Sequence, residues 1–390
     1  MRIRELVLAG ALAAVSVGAL LTAPATAADT PAAAGGSPGD LVTTAPSEFH
    51  PLPLQPTNTD AWRIEYRSTT ADGAPNVVSG TVIVPRDGRT GPRPLVTYAV
   101  GTVGLGDSCA PSANFPKGTA MEANLIQQLT WRGWAVVVTD YEGLGTPGTH
   151  TYTVGPSAGH AMLDAARAAL RLPEARGAGL GPDSPVGIMG YSQGGQASSW
   201  AAQLSGSYAP ELKVKGTATG GVPGDLLKVA DFNDGSYGAG LVFMAAAGQD
   251  AAFPELKLDS YLNDKGKKLV GFLRENCVII DAGVGAFSKI SDLTTTNPLD
   301  RPEWQARLNQ SKLGLIAPAA PVFQYHALGD ELIPYAVGRE VRSGWCARGA
   351  NVEWDTILIG EHVSGVITQA PRVLGWMADR FAGKAARPNC

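Results

Sequence analysis

One hexapeptide, Gly190-Tyr191-Ser192-Gln193-Gly194-Gly195, constrains the fold of this chain more than any other stretch. The apolar run 186–189 precedes it directly, and a run of small residues, 196–202, follows it without a spacer. A strand, a sharp turn and a helix in immediate succession form the context of a nucleophile elbow, in which a serine stands at the tip of the turn beside a helix N-terminus. We therefore predict that Ser192 is a nucleophile.

A second Gly-x-Ser-x-Gly sequence occurs at residues 155–159. Because the chain has 48 glycines, such a pentapeptide can occur by chance, and by itself it is weak support for a nucleophile. The preceding segment 149–153 is too polar for a buried central strand, and Pro156 removes a backbone donor beside the serine. We predict that Ser157 is instead the N-cap of the helix that follows it.

The N-terminal residues have the features of a secretory signal peptide. A basic start at 1–4, an apolar stretch at 6–21 and a small-residue cleavage site at 25–27 predict that residues 1–27 are removed and that the protein is secreted. Residues 28–50 are expected to form a flexible arm, and no transmembrane segment is expected in the mature chain. A net charge of −4 argues against nucleic acid or an anionic membrane as a partner.

Four cysteines in an exported chain predict two disulfides, and the sequence leaves all three pairings open. No two of these cysteines have the spacing of metal ligands, so a zinc site is not expected. No other metal and no cofactor is expected either. The cysteines are Cys109, Cys277, Cys346 and Cys390.

Short, nearly continuous apolar runs at 95–100 and 134–140 alternate with helix-like segments at 119–132 and 158–172. Strands that are buried on both faces and separated by helices are typical of a parallel sheet with helical crossovers. We therefore predict an α/β fold with a mostly parallel sheet flanked by helices. The alternating segment 63–68 is expected to be an exposed edge strand, with 76–85 as its neighbour.

The strand and helix alternation stops after residue 220 and resumes at 321–326. The intervening residues 221–318 contain helix-like pieces and turns, which predicts a helical cap inserted into the core. The core itself is expected to consist of residues 51–220 and 319–390. Its last elements are a strand at 352–359 and a helix at 364–381.

A serine hydroxyl needs a general base, and the base needs a group that fixes its tautomer. His362 follows a hydrophobic strand and precedes the last helix, where a loop can bring an imidazole to Ser192. His326 lies inside a strand pattern and is predicted to be a packed core or sheet-facing histidine. The other histidines, in the arm or near the second serine match, are His50, His150 and His160.

The predicted acid is Asp330, which lies in a turn just after the strand 321–326. Open α/β sheets place their sites at the carboxyl ends of strands. The chain order Ser192, Asp330, His362 is the order that α/β-hydrolases use. Glu331 is the alternative candidate for this acid.

The oxyanion of a tetrahedral intermediate needs two aimed hydrogen-bond donors. One is expected to be the backbone N–H of Gln193. The other is expected from the loop after strand 95–100, with Thr102 as the first choice and Gly101 and Val103 as close alternatives.

The elbow, the stretch Gly106-Asp107-Ser108-Cys109-Ala110-Pro111-Ser112 and the loop 139–145 together resemble the secretory lipases, the lipase A type found in fungi and actinomycetes. The resemblance covers roughly residues 50–390. It implies a secreted carboxylic-ester hydrolase that acts on lipids, with an α/β-hydrolase core and a helical cap over an acyl pocket. It also implies Ser192 as nucleophile, Asp330 as acid and His362 as base.

The resemblance further implies the disulfide pairings Cys109–Cys277 and Cys346–Cys390. The second oxyanion donor of this family is usually the backbone N–H of an acidic residue, and this chain has Thr102 or a neighbour in that place.

The expected partner is a small-molecule or lipid ester, with the lipid–water interface as a further candidate. Two alternatives stay open. One is a secreted serine peptidase or acyltransferase of the same fold, and the other is a non-catalytic binding protein.

Overall fold

The computed structural model describes residues 35–390, so the expected signal peptide 1–27 lies outside the described residues. The described part contains a nine-stranded sheet. Its strands in chain order are β1 (Leu41–Ser47), β2 (Thr59–Thr69), β3 (Pro75–Pro85), β4 (Leu95–Ala99), β5 (Ala135–Thr139), β6 (Val186–Tyr191), β7 (Val214–Gly220), β8 (Val322–Ala327) and β9 (Val352–Ile357).

The α-helices of the described residues surround this sheet and fill the long connection between β7 and β8. They are α1 (Pro111–Asn114), α2 (Ala123–Trp131), α3 (Gly155–Arg171), α4 (Gln193–Tyr208), α5 (Leu226–Asn233), α6 (Ala239–Ala252), α7 (Asp264–Leu273), α8 (Val278–Gly285), α9 (Ile290–Leu293), α10 (Pro302–Gln310), α11 (Tyr335–Cys346) and α12 (His362–Phe381).

The strand order is β1-β2-β3-β5-β4-β6-β7-β8-β9. The first three strands and the β3–β5 pair are antiparallel, and every pair from β5–β4 to β8–β9 is parallel. All residues of β4, β5 and β6 are buried, which explains their nearly continuous apolar sequences. The predicted α/β fold with a mostly parallel sheet is confirmed.

Helices cover the two faces of the sheet. The hydroxyl of Thr97 in β4 donates to the carbonyl oxygen of Met162 in α3. Val96, the adjacent residue of β4, pairs with Gly187 of β6, whose α-carbon packs against Met377 of α12. Because neighbouring residues of a strand point to opposite faces, α3 and α12 lie on opposite sides of the sheet.

The predicted flexible arm over 28–50 is wrong for residues 41–47, which form β1. This strand pairs antiparallel with β2 from Leu41 opposite Tyr66 to Ser47 opposite Ala61. None of its residues is buried, so its sequence lacks the apolar alternation that marks a half-buried strand. Main-chain hydrogen bonds hold it in place, and β1 rather than β2 is therefore the edge of the sheet.

The prediction of Ser157 as an N-cap is also wrong. Helix α3 begins at Gly155 with Val154 as its N-cap, and Ser157 lies in the first turn. Pro156 occupies an early helical position, where its missing N–H removes no intrahelical hydrogen bond. The hydroxyl of Ser157 donates to the side chain of Glu142.

The connection between β7 and β8 is helical and has its own hydrophobic cluster, which includes Phe243, Met244, Leu273 and Trp304. Residues 35–390 form one compact unit by their internal contacts. The contacts therefore do not separate the cap over 221–318 from the core, and the division into core and cap stays a prediction.

Two disulfides constrain the chain. Cys109 pairs with Cys277 and joins the loop after β4 to the start of α8, and Cys346 pairs with Cys390 and holds the C-terminus to the end of α11. These are the pairings that the family resemblance implies. Within residues 35–390 no helix combines the length and the apolar character needed to cross a membrane.

Asp281 in α8 provides a test of the packing in this helical segment. Its side chain is fully buried, and neither carboxyl oxygen has a hydrogen-bond partner. Burial raises the pKa of Asp281 from 3.8 to about 6. Since the folded state binds this proton more tightly than the unfolded state, the contribution of Asp281 to stability falls as the pH rises through this range.

We predict that Asp281→Asn raises the melting temperature relative to the wild type at pH 8, and that the gain shrinks as the pH falls towards 4. Thermal unfolding at both pH values measures this. The exposed Asp292→Asn in α9 is the matched control and is expected to give no such trend. An equal effect of Asp281→Asn at both pH values would contradict the burial of an unpartnered carboxyl.

Candidate active site

Ser192 lies where β6 ends and α4 begins, and its backbone has φ 59° and ψ −121°. A non-glycine residue rarely adopts a positive φ, so this conformation is held by its surroundings. The flanking glycines are required by close packing. A Cβ on Gly190 would overlap the carbonyl oxygen of Gly194, and a Cβ on Gly194 would overlap that of Ala99. The turn is thus the tight elbow that the hexapeptide predicts.

The structure brings Ser192, His362 and Asp330 into one hydrogen-bonded row. Nε2 of His362 lies 2.8 Å from Oγ of Ser192, and Nδ1 of His362 lies 2.8 Å from Oδ2 of Asp330. His362 is the first residue of α12, and Asp330 follows β8. A row of this kind can pass a proton from a hydroxyl to an imidazole whose other nitrogen is fixed by a carboxylate.

Asp330 is buried, yet its surroundings favour the charged form. Oδ1 accepts the backbone N–H groups of Leu332 at 3.0 Å and Ile333 at 2.7 Å. Burial by itself raises the pKa of the Asp330 carboxyl, but hydrogen bonds from His326 and His362 outweigh burial and hold the pKa well below its ordinary value. Asp330 therefore faces His362 as a carboxylate.

Glu331, the rival for the acid, also reaches His362, but at the backbone. Its Oε2 accepts the N–H of His362 at 3.0 Å. The imidazole contact belongs to Asp330, so the geometry favours Asp330 as the group that orients the ring.

The first turn of α12 fixes where His362 stands. The carboxylate of Glu361 accepts the N–H groups of Val363 and Ser364, and the Ser364 hydroxyl accepts the N–H of Glu361 in return. This is a capping box, a local sequence pattern that places the start of α12 at His362 rather than at the predicted residue 364. The Tyr191 hydroxyl adds a hydrogen bond of 2.7 Å to the carbonyl oxygen of His362.

Gln193 is the first residue of α4, so its backbone N–H is one of the free donors at a helix N-terminus. Its side-chain amide donates to Nε2 of His150 at 2.8 Å, and Nδ1 of His150 donates to the carbonyl oxygen of Glu142 at 3.0 Å. Burial lowers the pKa of His150 to about 4, so the ring is neutral and can accept this bond. No local sequence signal links His150 to the elbow.

The loop after β4 approaches the nucleophile from the other side. A Cβ on Gly101 would lie 3.8 Å from Cβ of Ser192. The N–H of Gly101 donates to Oε1 of Glu122 at 2.6 Å, and the Tyr98 hydroxyl donates to Oε2 of the same carboxyl at 2.5 Å. Because the Gly101 N–H already has an acceptor, Thr102 and Val103 are the better candidates for the second oxyanion donor.

The Thr102 hydroxyl forms a hydrogen bond of 2.7 Å with the Tyr152 hydroxyl. This bond anchors the side chain of Thr102 to the segment that precedes α3. Which backbone N–H of this loop serves as the second donor stays a prediction.

A cavity of about 920 Å³, part of it open to solvent, extends from Ser192 and Gln193 towards the helices between β7 and β8. Its walls carry no charged side chain and are mainly aliphatic. Representative wall residues are Val229, Leu241, Ala245, Ala246, Leu299 and Trp304. Such a cavity can bury an extended apolar group beside the serine.

Over the described residues 35–390, no group of three or more histidine, cysteine, aspartate or glutamate side chains could hold a metal ion.

The model of one protein family, described as secretory lipase, matches residues 112–389. The chain belongs to the secretory lipase family. This membership confirms the family resemblance and the prediction of a lipase or esterase. The site around Ser192 is accordingly the candidate active site of an ester hydrolase.

Relatives of this secretory lipase carry matching names. A secreted triacylglycerol lipase of Malassezia globosa is 32% identical, with 85% of this chain and 72% of the relative covered. A Mycobacterium tuberculosis protein named a probable inactive lipase is 33% identical, with 89% and 79% covered. Among solved structures, lipase A of Candida antarctica matches with a TM-score of 0.81 and 25% identity, with 90% of this chain and 84% of that chain covered.

We predict that Glu122→Met lowers kcat/KM for ester hydrolysis about tenfold or more, because the loop that carries Thr102 loses the acceptor for the Gly101 N–H. Glu122→Gln keeps an amide oxygen for Gly101 and is expected to stay within about threefold of the wild type. Initial rates with an activated ester measure both effects.

The exposed Glu174→Met is the matched control for this substitution. Wild-type kcat/KM in a folded Glu122→Met variant would show that the Glu122 contact does not support the site.

Proposed function

We propose that this secretory lipase hydrolyses lipid esters through an acyl-enzyme on Ser192, with His362 as general base and Asp330 as the acid that orients it. The observation that carries this proposal is the row Ser192–His362–Asp330, in which both contacts are 2.8 Å. The strained elbow and the helix N-terminus beside it add support.

The hydrogen-bond pattern assigns each proton. Since the Asp330 carboxylate can only accept, Nδ1 of His362 carries a hydrogen and Nε2 is left with its lone pair facing Oγ of Ser192. As Oγ attacks the carbonyl carbon of the ester, Nε2 takes the hydroxyl proton and then gives it to the leaving alcohol. Water then attacks the acyl-enzyme while Nε2 takes its proton; Nε2 returns the proton to Oγ, the carboxylic acid leaves and Ser192 is restored.

The backbone N–H groups of Gln193 and Thr102 are proposed as the donors for the oxyanion. The N-terminus of α4 supplies the first, where the helix dipole also favours negative charge. The loop after β4 supplies the second, and its position depends on the bonds from Gly101 to Glu122 and from Thr102 to Tyr152. Donors fixed before the reaction stabilise the intermediate without reorganisation.

The apolar cavity is proposed to hold the acyl chain of the substrate. Its uncharged, mainly aliphatic wall suits a fatty acyl group better than the polar backbone of a peptide. This favours lipid esters over the alternative of a peptidase. A relative is named a secreted triacylglycerol lipase, and we propose an acylglycerol as the substrate here as well.

Exposed apolar side chains follow the carboxyl ends of β8 and β9, at the edge of the sheet where Ser192 lies. Leu328 follows β8, Leu358 and Ile359 follow β9, and Val363 stands beside His362; each is more than half exposed. Side chains of this kind favour contact with an apolar phase. We propose that this face docks on a lipid–water interface, and that the signal peptide 1–27 directs the protein out of the cell.

The purified protein should hydrolyse p-nitrophenyl esters and should prefer them to aminoacyl arylamides. We predict that Ser192→Ala lowers kcat by a factor of about 10³ or more, because the nucleophile is lost. Ser157→Ala is the matched control and is expected to keep the wild-type rate with these esters. Initial rates over a series of acyl lengths measure both.

A preference for the arylamides would contradict the lipase proposal and favour the peptidase. Equal ester hydrolysis by Ser192→Ala and the wild type would contradict the acyl-enzyme and leave the binding protein as the better explanation.

A further inference from the structure

The carboxylate of Asp330 has a second histidine beside it, His326 in β8. Nε2 of His326 lies 3.2 Å from Oδ2 of Asp330, the same oxygen that lies 2.8 Å from Nδ1 of His362. The side chains of His326 and Asp330 are both completely buried. The proposed mechanism gives this histidine no task, although it contacts the acid directly.

The contacts of the ring determine its protonation. Nε2 of His326 also lies 3.0 Å from the carbonyl oxygen of Ile333, so both neighbours of Nε2 are acceptors and Nε2 carries the hydrogen. Nδ1 has no hydrogen-bond partner, and Gly338 packs against it so closely that a Cβ there would overlap the nitrogen. A proton on Nδ1 would be a buried donor without an acceptor, which is costly. His326 therefore donates from Nε2.

An aromatic cage keeps the ring in this orientation. Trp354 stacks on His326 at 6.5 Å with an interplanar angle of 25°, and Tyr335 meets it edge-on at 5.9 Å. The Thr356 hydroxyl contacts both Nε1 of Trp354 and the Tyr335 hydroxyl, so the cage itself is held. Asp330 and Tyr335 are the titratable side chains that the structure places against this ring.

We propose that His326 is a positioning residue for the ester hydrolysis, an inference that rests on the function proposed above. Its Nε2–H holds Oδ2 of Asp330 at His362 and takes up part of the negative charge on that oxygen. The carboxylate then stays a weak base, so the Nδ1 proton remains on His362 while Nε2 receives the proton of Ser192. His326 acts through Asp330 and not on the substrate.

Two variants separate the donor from the packing of the ring. His326→Leu removes the donor, and we expect kcat to fall about tenfold while KM stays within about twofold. His326→Gln can present an amide N–H near the place of Nε2 and is expected to recover most of the rate. If the leucine variant does not fold, His326→Phe keeps the aromatic packing without the donor and takes its place.

The pH profile of kcat/KM adds a readout that packing alone would not move. Without the donor from His326, the full charge on Oδ2 of Asp330 stabilises protonated His362 more strongly. We expect the acid limb of the profile to move to higher pH by about half a pH unit in the leucine variant and to stay in place in the glutamine variant. Equal losses in both variants with an unchanged acid limb would overturn the proposal.

A double-mutant cycle with Asp330→Ala tests whether the effect passes through the carboxylate. In that background His326→Leu is expected to change kcat by less than about twofold. A tenfold loss of kcat from His326→Leu in both backgrounds would overturn the proposed role of His326 and leave the proposed function intact. A wild-type kcat for Asp330→Ala would instead overturn the proposed function.

His160→Leu is the matched control, since this histidine of α3 packs against Tyr208 with the ring centroids 4.3 Å apart. We expect it to leave the acid limb of the profile unchanged. A shift of the limb in this variant as large as that of His326→Leu would overturn the assignment to His326.

Discussion

The constraint on which the rest of the site depends is the backbone of Ser192, held at a positive φ between a buried strand and a helix. Gly190 packs against the carbonyl oxygen of Gly194, and Gly194 packs against that of Ala99. A side chain at either glycine would therefore force the turn open. The same packing presents the Ser192 hydroxyl at the carboxyl edge of the sheet and the α4 N-terminus beside it. Strain in one residue is thereby held by the surrounding sheet and helix.

The groups that face Ser192, namely His362, Asp330 and the loop after β4, lie far apart in the chain. Separate contacts hold each of them in place. A capping box fixes His362, two backbone N–H groups and two histidines hold Asp330, and Glu122 holds the loop after β4. The bonds to Asp330 from Ile333 and His326 are buried, where hydrogen bonds are strong and a missing partner is costly. In the proposed function the uncharged cavity holds the acyl chain, and the exposed apolar edge contacts the lipid–water interface.

The sequence predicts the parts that local chemistry determines. The elbow, the fully buried strands and the chain order of Ser192, Asp330 and His362 follow from apolar runs and turn residues, and the fold and family predictions are confirmed. The sequence does not predict strand β1, because its exposed residues show no alternation of apolar and polar side chains. The contacts of His150, Glu122 and His326 join residues from separate elements, and no local pattern encodes where such side chains meet. The N-cap prediction for Ser157 fails because Pro156 tolerates an earlier helix start.

The proposed mechanism requires Ser192 to form a covalent intermediate with the acyl group of the substrate. The most direct measurement is to treat the active protein with a p-nitrophenyl alkylphosphonate and to locate the adduct by mass spectrometry of the intact chain and its peptides. We expect one phosphonyl group per chain, attached to Ser192, with loss of esterase activity in proportion to labelling. An adduct on another residue, or full labelling of Ser192 with activity retained, would contradict the claim.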